Sequence, residues 1–428
     1  MDGNKVSKMI KEKIKYYAGE IQYTSYNFIK WCILAIITGG IIGVCSSLFG
    51  HALTTATSWR KEYPWLLFGL PLAGVIIIFL YQNFGKDDGG SNQVFSTVRN
   101  RDEVPPSAAP LIFISTVLTH LAGGSAGREG AAIQLGGSIA NQLGRWIKLD
   151  EEDTHVIVMC GMSAAFAALF GTPMAAAIFS LEVISVGVMY YAALMPCLIA
   201  SLMAAGVAHA MGIHAEHFYE GFVPEVTVIS GMKMGIVILA CSVASILFCM
   251  ALKVTGKAYG KMKNKYVRII VASCIIIALN LLLHTTDYMG AGTELIVQAV
   301  QFGKVVPLAF VWKILLTALT MKAGFKGGEI VPSFCIGATL GCAMGHLVGF
   351  EPRLCAACGM IAFFCGVTNC PITSMLIAFE LFGFEGVSYF LIAIAVSYAT
   401  SGYYGLYKDQ TIVYSKYKAR FVNKKTRS

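Results

Sequence analysis

The sequence predicts an all-α integral membrane protein of two related halves, each containing full-length and broken transmembrane helices. Three observations lead to this fold class. Hydrophobic residues make up 56% of the 428 residues and charged residues only 13%, with a mean hydropathy of +0.66, whereas a soluble protein carries about 25% charged residues. Apolar runs recur along the whole chain. A motif of the first half also returns in the second half.

The apolar runs fall into two sets by length. Eight span a membrane or nearly do so: residues 31–57, 65–80, 108–121, 156–170, 194–211, 232–252, 267–283 and 387–400. Five others are shorter or are broken by glycine: residues 133–143, 174–188, 334–348, 360–367 and 372–382. Since a transmembrane helix needs about 20 apolar residues, the second set predicts re-entrant or broken helices, which are common in transporters.

Positive charge is concentrated at the two ends of the chain, within a net charge of +9. Because lysine and arginine favour the cytoplasmic side of a membrane, both termini are predicted to be cytoplasmic. Residues 1–30 mix lysines with apolar side chains and predict a cytoplasmic N-terminal helix on the membrane surface. Residues 421–428 predict a cytoplasmic tail. The position of the basic clusters beside the membrane accounts for them, so a lipid bilayer is the expected partner and nucleic acid is not.

Two segments of the first half return in the second half, in the same order and at a nearly constant spacing. Residues 161–182 match residues 359–380, including a glycine, a proline and a glutamate at equivalent positions. Upstream, Gly-Arg-Glu-Gly-Ala at 127–131 falls on Gly-Glu-Ile-Val-Pro at 328–332. Two matches in the same order indicate a duplicated unit.

The duplication sets the expected domain organisation. We predict a first transmembrane repeat over residues 31–215 and a second over residues 226–420. Internal repeats in transporters often hold the substrate at the interface between repeats, near helix N-termini. The two glycine-rich breaks, which occupy equivalent positions in the halves, are therefore the best pointer to a binding site.

The first break, residues 123–132, places Arg128 and Glu129 among glycines between two apolar runs. Ionisable side chains at membrane depth are costly and usually mark an ion or proton path; the alternative is a charged loop that surfaces between two helices. A helix that begins inside the membrane presents unpaired N–H groups and the positive end of its dipole, and glycine lets a ligand approach the backbone closely. These properties favour an anion bound by helices that begin near Arg128 and Ile330.

Glu129 has its own role in this interpretation. Its carboxylate competes with the anion for the same position, so it is predicted to act as a gate and as a proton carrier. A third helix start near Ser91 and Asn92 offers a hydroxyl or amide donor. The residues predicted to bind the anion are Ser91, Asn92, Gly127, Arg128, Gly130, Gly328, Ile330 and Val331. The sequence shows no cofactor motif, metal cluster or catalytic arrangement, so a transporter is expected rather than an enzyme.

The motifs at 127–130 and 328–332, the paired halves and the late Tyr414 together resemble the CLC family of chloride channels and proton-coupled anion antiporters. The resemblance covers residues 33–420. It implies many tilted helices, halves of inverted topology, a homodimer with one anion pathway per subunit, and cytoplasmic termini. By the same resemblance Glu129 is the gating glutamate and Tyr414 is the central tyrosine whose hydroxyl faces the anion. A tyrosine of the membrane interface is the alternative for Tyr414.

Several positions depart from the chloride-transporting members of that family. Ala131 stands where they carry proline, Ile330 where they carry phenylalanine, and Val183 where chloride/proton antiporters carry a second glutamate. Glu329 places an acid where they have none. These changes resemble the fluoride-exporting branch, so the expected function is fluoride/proton antiport in a bacterial plasma membrane. A chloride channel of the voltage-gated type and a chloride/proton antiporter are the alternatives.

Three further glutamates have expected roles of their own. Glu329 is predicted to affect selectivity or coupling as a neutral acid that donates a hydrogen bond to fluoride, because burial favours the protonated form. The alternative is an ion pair with Lys322 or Lys326, just upstream. Glu182 and Glu380 stand at equivalent ends of the repeated segments and are expected to cap or anchor structure rather than to carry protons.

Overall fold

The computed structural model describes residues 3–85, 91–100, 104–214, 218, 221, 223–418 and 420–427. Sixteen α-helices make up most of these described residues. In chain order they are α1 (Gly3–Glu62), α2 (Leu70–Phe84), α3 (Ser91–Asn100), α4 (Ala108–Leu121), α5 (Glu129–Trp146), α6 (Glu151–Phe170), α7 (Pro173–Glu182), α8 (Leu194–Ala210), α9 (Val228–Gly260), α10 (Lys265–Leu283), α11 (Thr293–Phe302), α12 (Ala309–Ala323), α13 (Ile330–Val348), α14 (Pro352–Thr368), α15 (Pro371–Phe382) and α16 (Val387–Thr400). The predicted all-α class is confirmed.

Full and partial spans are mixed, as the sequence predicts. Seven helices of the described residues are long and apolar enough to cross a membrane. Shorter apolar helices accompany them, among them α4 and α16 with 14 residues each. A helix of that length is about 21 Å long at 1.5 Å per residue, less than the hydrocarbon core of about 30 Å. The segments 108–121 and 387–400 are therefore partial spans rather than the full spans expected from their sequence.

Helix α1 is longer than the sequence indicates, because it joins the predicted surface helix over residues 1–30 to the first predicted span. Its 60 residues correspond to about 90 Å. No proline interrupts the chain before Pro64, and proline is a strong breaker of helices. Lys30 forms an ion pair with Asp153 near the start of α6, which holds α1 to the bundle. The cytoplasmic location of residues 1–30 stays a prediction.

The two halves correspond helix by helix, α1–α8 to α9–α16. Equivalent helices pack in equivalent ways, with α5 against α6 in the first half and α13 against α14 in the second. A Cβ atom at Gly136 would lie 2.2 Å from the carbonyl oxygen of Gly161, and one at Gly337 would lie 2.5 Å from that of Gly359. The glycines that recur in the sequence are therefore the residues at which two helix backbones touch, a common contact in membrane proteins.

The C-terminal segment forms a small three-stranded sheet with a short strand of the first half, which the sequence pattern does not predict. Its strands are β1 (Ser185–Val186), β2 (Thr411–Tyr414) and β3 (Phe421–Lys425), with β1 parallel and β3 antiparallel to the central β2. Beyond β3, the N–H of Thr426 donates to the carbonyl oxygen of Gln410 at 3.1 Å. The described part of the predicted tail, residues 421–427, is thus folded back against the second half.

Candidate functional site

The glycine-rich breaks of the two halves lie side by side. Helix α5 begins at Glu129 and α13 begins at Ile330. The N–H of Gly127 donates to the carbonyl oxygen of Gly328 at 2.7 Å, and the N–H of Gly328 donates to that of Gly127 at 2.8 Å, in an antiparallel bridge. Equivalent backbone segments therefore run in opposite directions where they meet, as halves of inverted topology require. Two helix N-termini, with their free N–H groups and positive dipole ends, converge on one point.

Only glycine fits at the two positions of this bridge. A Cβ atom at Gly127 would lie 2.4 Å from Oε2 of Glu129, and one at Gly328 would lie 2.5 Å from the backbone nitrogen of Gly130. At Gly328 the obstacle is the backbone of the first half, and at Gly127 it is the carboxylate of Glu129 together with Cδ of Pro332 at 2.9 Å. A side chain at either position would therefore displace groups of the site itself.

The side chain of Glu129 fills the point of convergence. It is fully buried, and its Oε2 accepts hydrogen bonds from the N–H of Arg128 at 3.0 Å and from the N–H of Val331, in the first turn of α13, at 3.3 Å. Its Oε1 lies 3.8 Å from Nε of Arg128 and has no hydrogen-bond partner among the described residues. A carboxylate of the first half thus occupies the position where the helix start of the second half would hold an anion.

Arg128 and Glu329 precede the two helices at equivalent positions, but their surroundings differ. Arg128 lines a cavity of 240 Å³ whose other walls carry further basic side chains. Glu329 instead has its Oε1 3.7 Å from Nζ of Lys322, while Nζ of Lys326 lies 4.3 Å from the centre of the Tyr81 ring. Of the two interpretations of Glu329, the ion pair with Lys322 is present in this structure. A role in selectivity stays a prediction.

Two other glutamates form hydrogen bonds between the two halves. Glu182, at the end of α7, accepts hydrogen bonds from two N–H groups in the first turn of α15, at 3.1 and 2.8 Å, and from Oγ1 of Thr373 at 2.6 Å. Glu380, in α15, accepts from the N–H groups of Met174 and Ala175, in the first turn of α7, at 2.8 and 2.9 Å. Each half therefore caps a helix of the other with a carboxylate, which satisfies free N–H groups and the helix dipole. The expected anchoring role of both glutamates is confirmed.

The third predicted helix start is present, since α3 begins at Ser91. The side chains of Ser91 and Asn92 lie outside the described residues, so their contact with an anion stays a prediction. One turn further along α3, the buried ring of Phe95 packs edge-to-face on the buried ring of Tyr407, with their centres 4.8 Å apart. Helix α3 is thereby attached to the segment that follows α16.

The structure does not bring Tyr414 to this site, and that assignment needs correction. Its side chain is 49% exposed on β2, where the ring packs against Phe421 with 6.0 Å between the ring centres. We propose Tyr407 for the central position instead. It is 4% exposed, its hydroxyl has no hydrogen-bond partner among the described residues, and it lies within electrostatic reach of Glu129 and Glu329.

Sequence reasoning missed Tyr407 because five tyrosines fall between residues 403 and 417. Motif position alone does not distinguish them. The available signal is the β-branched stretch Thr-Ile-Val at 411–413, since β-branched residues favour a strand. A strand there places Tyr414 in a sheet rather than beside a helix start.

Comparison with known proteins points to one family. The family model described as voltage gated chloride channel matches residues 73–402. A chloride/fluoride channel protein of Pseudomonas syringae pv. tomato is 36% identical over 397 residues, which cover 91% of this chain and 88% of that protein. An H(+)/Cl(−) exchange transporter of Vibrio cholerae is 24% identical over 414 residues, which cover 88% of this chain and 86% of that protein.

Solved structures share the fold. A CLC-type fluoride/proton antiporter aligns with a TM-score of 0.85 at 32% identity, over 90% of this chain and 98% of that one. A slow cyanobacterial Cl−/H+ antiporter aligns with a TM-score of 0.78 at 21% identity, over 87% of this chain and 94% of that one, and supports the fold alone. The family match includes both glycine-rich breaks and both capping glutamates.

Proposed function

Because the chain belongs to the voltage-gated chloride channel family, the CLC family, we propose that this multi-pass membrane protein transports halide ions and exchanges fluoride for protons. One observation carries the proposal. The buried carboxylate of Glu129 accepts the N–H of Val331 at the start of α13, so an acidic group stands in the position that an anion would take. A transporter that couples a halide to a proton needs such an exchange of occupants at one site.

The proposed cycle follows from the chemistry of that position. When Glu129 is ionised, its oxygen satisfies the N–H groups at the helix start and excludes other anions. When a proton neutralises it, its attraction to the positive helix end weakens, and a halide replaces it on the same N–H groups. We assign the halide contacts to the backbone N–H groups of Gly130, Ile330 and Val331. Gly127 and Gly328, whose own N–H groups bond each other, hold the two helix starts together around the halide. Ser91 or Asn92 supplies a further contact from the start of α3, and Arg128 supplies positive charge from the start of α5.

Fluoride is the proposed substrate in preference to chloride. The relative with 36% identity is named a chloride/fluoride channel protein, and the solved structure with 32% identity is a fluoride/proton antiporter, whereas the H(+)/Cl(−) exchange transporter of Vibrio cholerae is 24% identical. Glu329, which precedes α13 directly, is the acid that we assign to selectivity or coupling. Its ion pair with Lys322 holds the carboxylate of Glu329 beside the start of α13.

A flux measurement tests the proposal. Purified protein in proteoliposomes is expected to release fluoride faster than chloride, as read with ion-selective electrodes, and to move protons in the opposite direction. Glu329→Gln is expected to lower the ratio of fluoride to chloride flux, while the matched change Glu294→Gln, at an exposed ion pair with Lys61, leaves it unchanged. Equal fluoride and chloride rates would contradict fluoride selectivity, and halide flux without proton movement would favour a channel.

The hydroxyl of Tyr407 gives a second prediction. Tyr407→Phe removes a buried donor that has no partner in the described structure, and a hydrogen bond to a charged group contributes about 1.5–3 kcal/mol. We expect halide binding to weaken by about 10- to 100-fold in titration calorimetry. Tyr414→Phe, on the exposed strand, is expected to bind halide like the unaltered protein. The reverse order of effects would restore the assignment of the central tyrosine to Tyr414.

Three further features belong to the same proposal. We place both termini in the cytoplasm, the protein in the cell membrane, and the active form as a homodimer with one pathway in each subunit. The repeats proposed over residues 31–215 and 226–420 fit the two sets of eight helices. Halide and protons are the transported species, and no enzymatic reaction is assigned.

A further inference from the structure

A cavity beside the glutamate gate is not used by the transport cycle described above. Its volume is 240 Å³, and it lies between the end of α1, the end of α4 and the loop that leads into α11. Arg60, Lys61, His120 and Arg128 contribute its basic lining. Since Arg128 is adjacent in sequence to Glu129, the cavity ends next to the site where the two halves meet.

Arg60 is the unusual member of this lining. Its side chain is 7% exposed, although it lines the cavity. The hydrogen bond described for it runs from Nη1 to the carbonyl oxygen of His120, at 3.1 Å, and no carboxylate forms an ion pair with it among the described residues. Glu294 acts on the guanidinium electrostatically but forms its ion pair with Lys61 instead. A guanidinium carries several donors, and a buried charge without a direct partner is costly. An anion in the cavity would supply that partner.

Packing and hydrogen bonds hold the residues around Arg60 in place. Gly290 has a φ of +61°, and a Cβ atom there would lie 3.0 Å from Nη1 of Arg60, so glycine leaves the room that the guanidinium takes. The fully buried Lys313 donates to the carbonyl oxygens of Tyr288 at 3.0 Å and Gly290 at 2.6 Å. The N–H of Gly290 donates to the carbonyl oxygen of Gly124 at 3.0 Å. The loop is therefore fixed against the first glycine-rich break.

The inner wall of the cavity is positive and its rim carries acids. Arg60, Arg128 and Lys313 all lie within electrostatic reach of His120. The acidic side chains of the lining are Asp287 and Glu294, and Glu294 is already paired with Lys61, at 65% exposure. An anion is therefore attracted to the inner wall and not to the rim.

The cavity also leads towards the helix start of the second half. Arg128 lines a second, smaller cavity of 30 Å³, together with Val331 and Phe334 of α13. Val331 is the residue whose N–H binds the carboxylate of Glu129. Arg128, Ala291 and Thr293 line both cavities, so the space around Arg60 adjoins the one that reaches the start of α13.

We propose that the cavity is a separate halide-binding site, in which the guanidinium of Arg60 holds one anion before or after it occupies the position of Glu129. The inference rests on the proposed halide transport and adds a site that this transport does not itself require. Lys313 acts as a positioning residue, because it fixes the loop around the anion. The ligand class is a small monovalent anion, since the cavity offers one buried guanidinium without a direct ion-pair partner.

The test uses two variants and a surface control. Arg60→Gln removes the charge but keeps a donor for the carbonyl of His120; Arg60→Lys keeps the charge; Lys304→Gln removes an exposed cation outside the cavity lining. For Arg60→Gln we expect KM for fluoride flux at low ionic strength to rise about tenfold, with little change in the maximal rate. Arg60→Lys is expected to recover most of the affinity, and Lys304→Gln to leave KM unchanged.

A binding readout separates this inference from the proposed function. Crystals soaked in sodium bromide are expected to show anomalous density beside Arg60 in the unaltered protein and none there in Arg60→Gln. Bromide beside Arg60 in a protein that moves no halide would uphold the site and reject the transport proposal. Normal halide flux, with no bromide beside Arg60 and an unchanged KM in Arg60→Gln, would overturn the site and leave the transport proposal intact.

Discussion

Glu129→Gln is expected to reduce proton movement at least 100-fold, within the range of 10²–10⁴ that a positioned acid–base group contributes. The substitution imitates the neutral form of the side chain and keeps an oxygen that accepts the N–H of Val331. It removes the ability to bind and release a proton at that position. Fluoride and proton fluxes, measured together with a fluoride electrode and a pH electrode on the same proteoliposomes, check the expectation.

The matched control for Glu129→Gln is Glu294→Gln, which makes the same chemical change at a 65% exposed side chain in the cavity rim. It is expected to keep the coupling ratio of the unaltered protein. Full proton coupling in Glu129→Gln would show that another group carries the proton, and the gate assignment would then be wrong. Loss of coupling in both variants would indicate that proton coupling depends on the negative charge around the cavity rather than on Glu129 itself.

Glu182→Leu is expected to destabilise the protein by about 3–5 kcal/mol, because several buried donors lose their acceptor at about 1–3 kcal/mol each. The carboxylate is 4% exposed and is the acceptor for two N–H groups and one hydroxyl at the start of α15. Leucine fills similar space but leaves those donors without a partner at membrane depth, which is expensive in an apolar medium. The midpoint of thermal unfolding in detergent is the measurement.

Glu182→Gln is the informative companion, because the amide oxygen still accepts hydrogen bonds although it lacks the charge. We expect about 1–2 kcal/mol of destabilisation, the difference between charged and neutral hydrogen bonds, and unchanged proton coupling in the folded protein. If Glu182→Leu is as stable as the unaltered protein, the assigned capping role is wrong. Loss of proton coupling in a fully stable Glu182→Gln would make Glu182 a proton carrier instead.

Much of this arrangement follows from the sequence, because it depends on residues with few structural uses. Glycines at Gly127 and Gly328 among apolar residues indicate backbone contact, and a glutamate at membrane depth indicates function. Equivalent glutamates after repeated segments, Glu182 and Glu380, indicate a shared structural role. Each of these signals is local in the chain. The repeat doubles the glycines and the capping glutamates, but not Glu129, which falls on Ile330.

Other features depend on contacts between distant segments and are not visible in the chain itself. The choice between Tyr407 and Tyr414 is decided by a sheet that pairs β2 with residues far away at Ser185–Val186. The ion pair of Glu329 with Lys322 joins α12 to the start of α13, and Nζ of Lys326 lies over the ring of Tyr81. The continuity of α1 reflects the lack of a proline, and amphipathic composition alone does not distinguish a surface helix from the extension of a span.

The reciprocal bonds between the halves restrict how the protein can move during a cycle. The Gly127–Gly328 bridge lies at the proposed transport site, and each half contributes a carboxylate that caps a helix of the other. A mechanism in which the halves rock as rigid bodies, common in other secondary transporters, would have to break all of these bonds in every turnover. For the proposed exchange, these bonds therefore favour alternating access by rotation of single side chains within a stationary scaffold, with Glu129 as the proposed moving part.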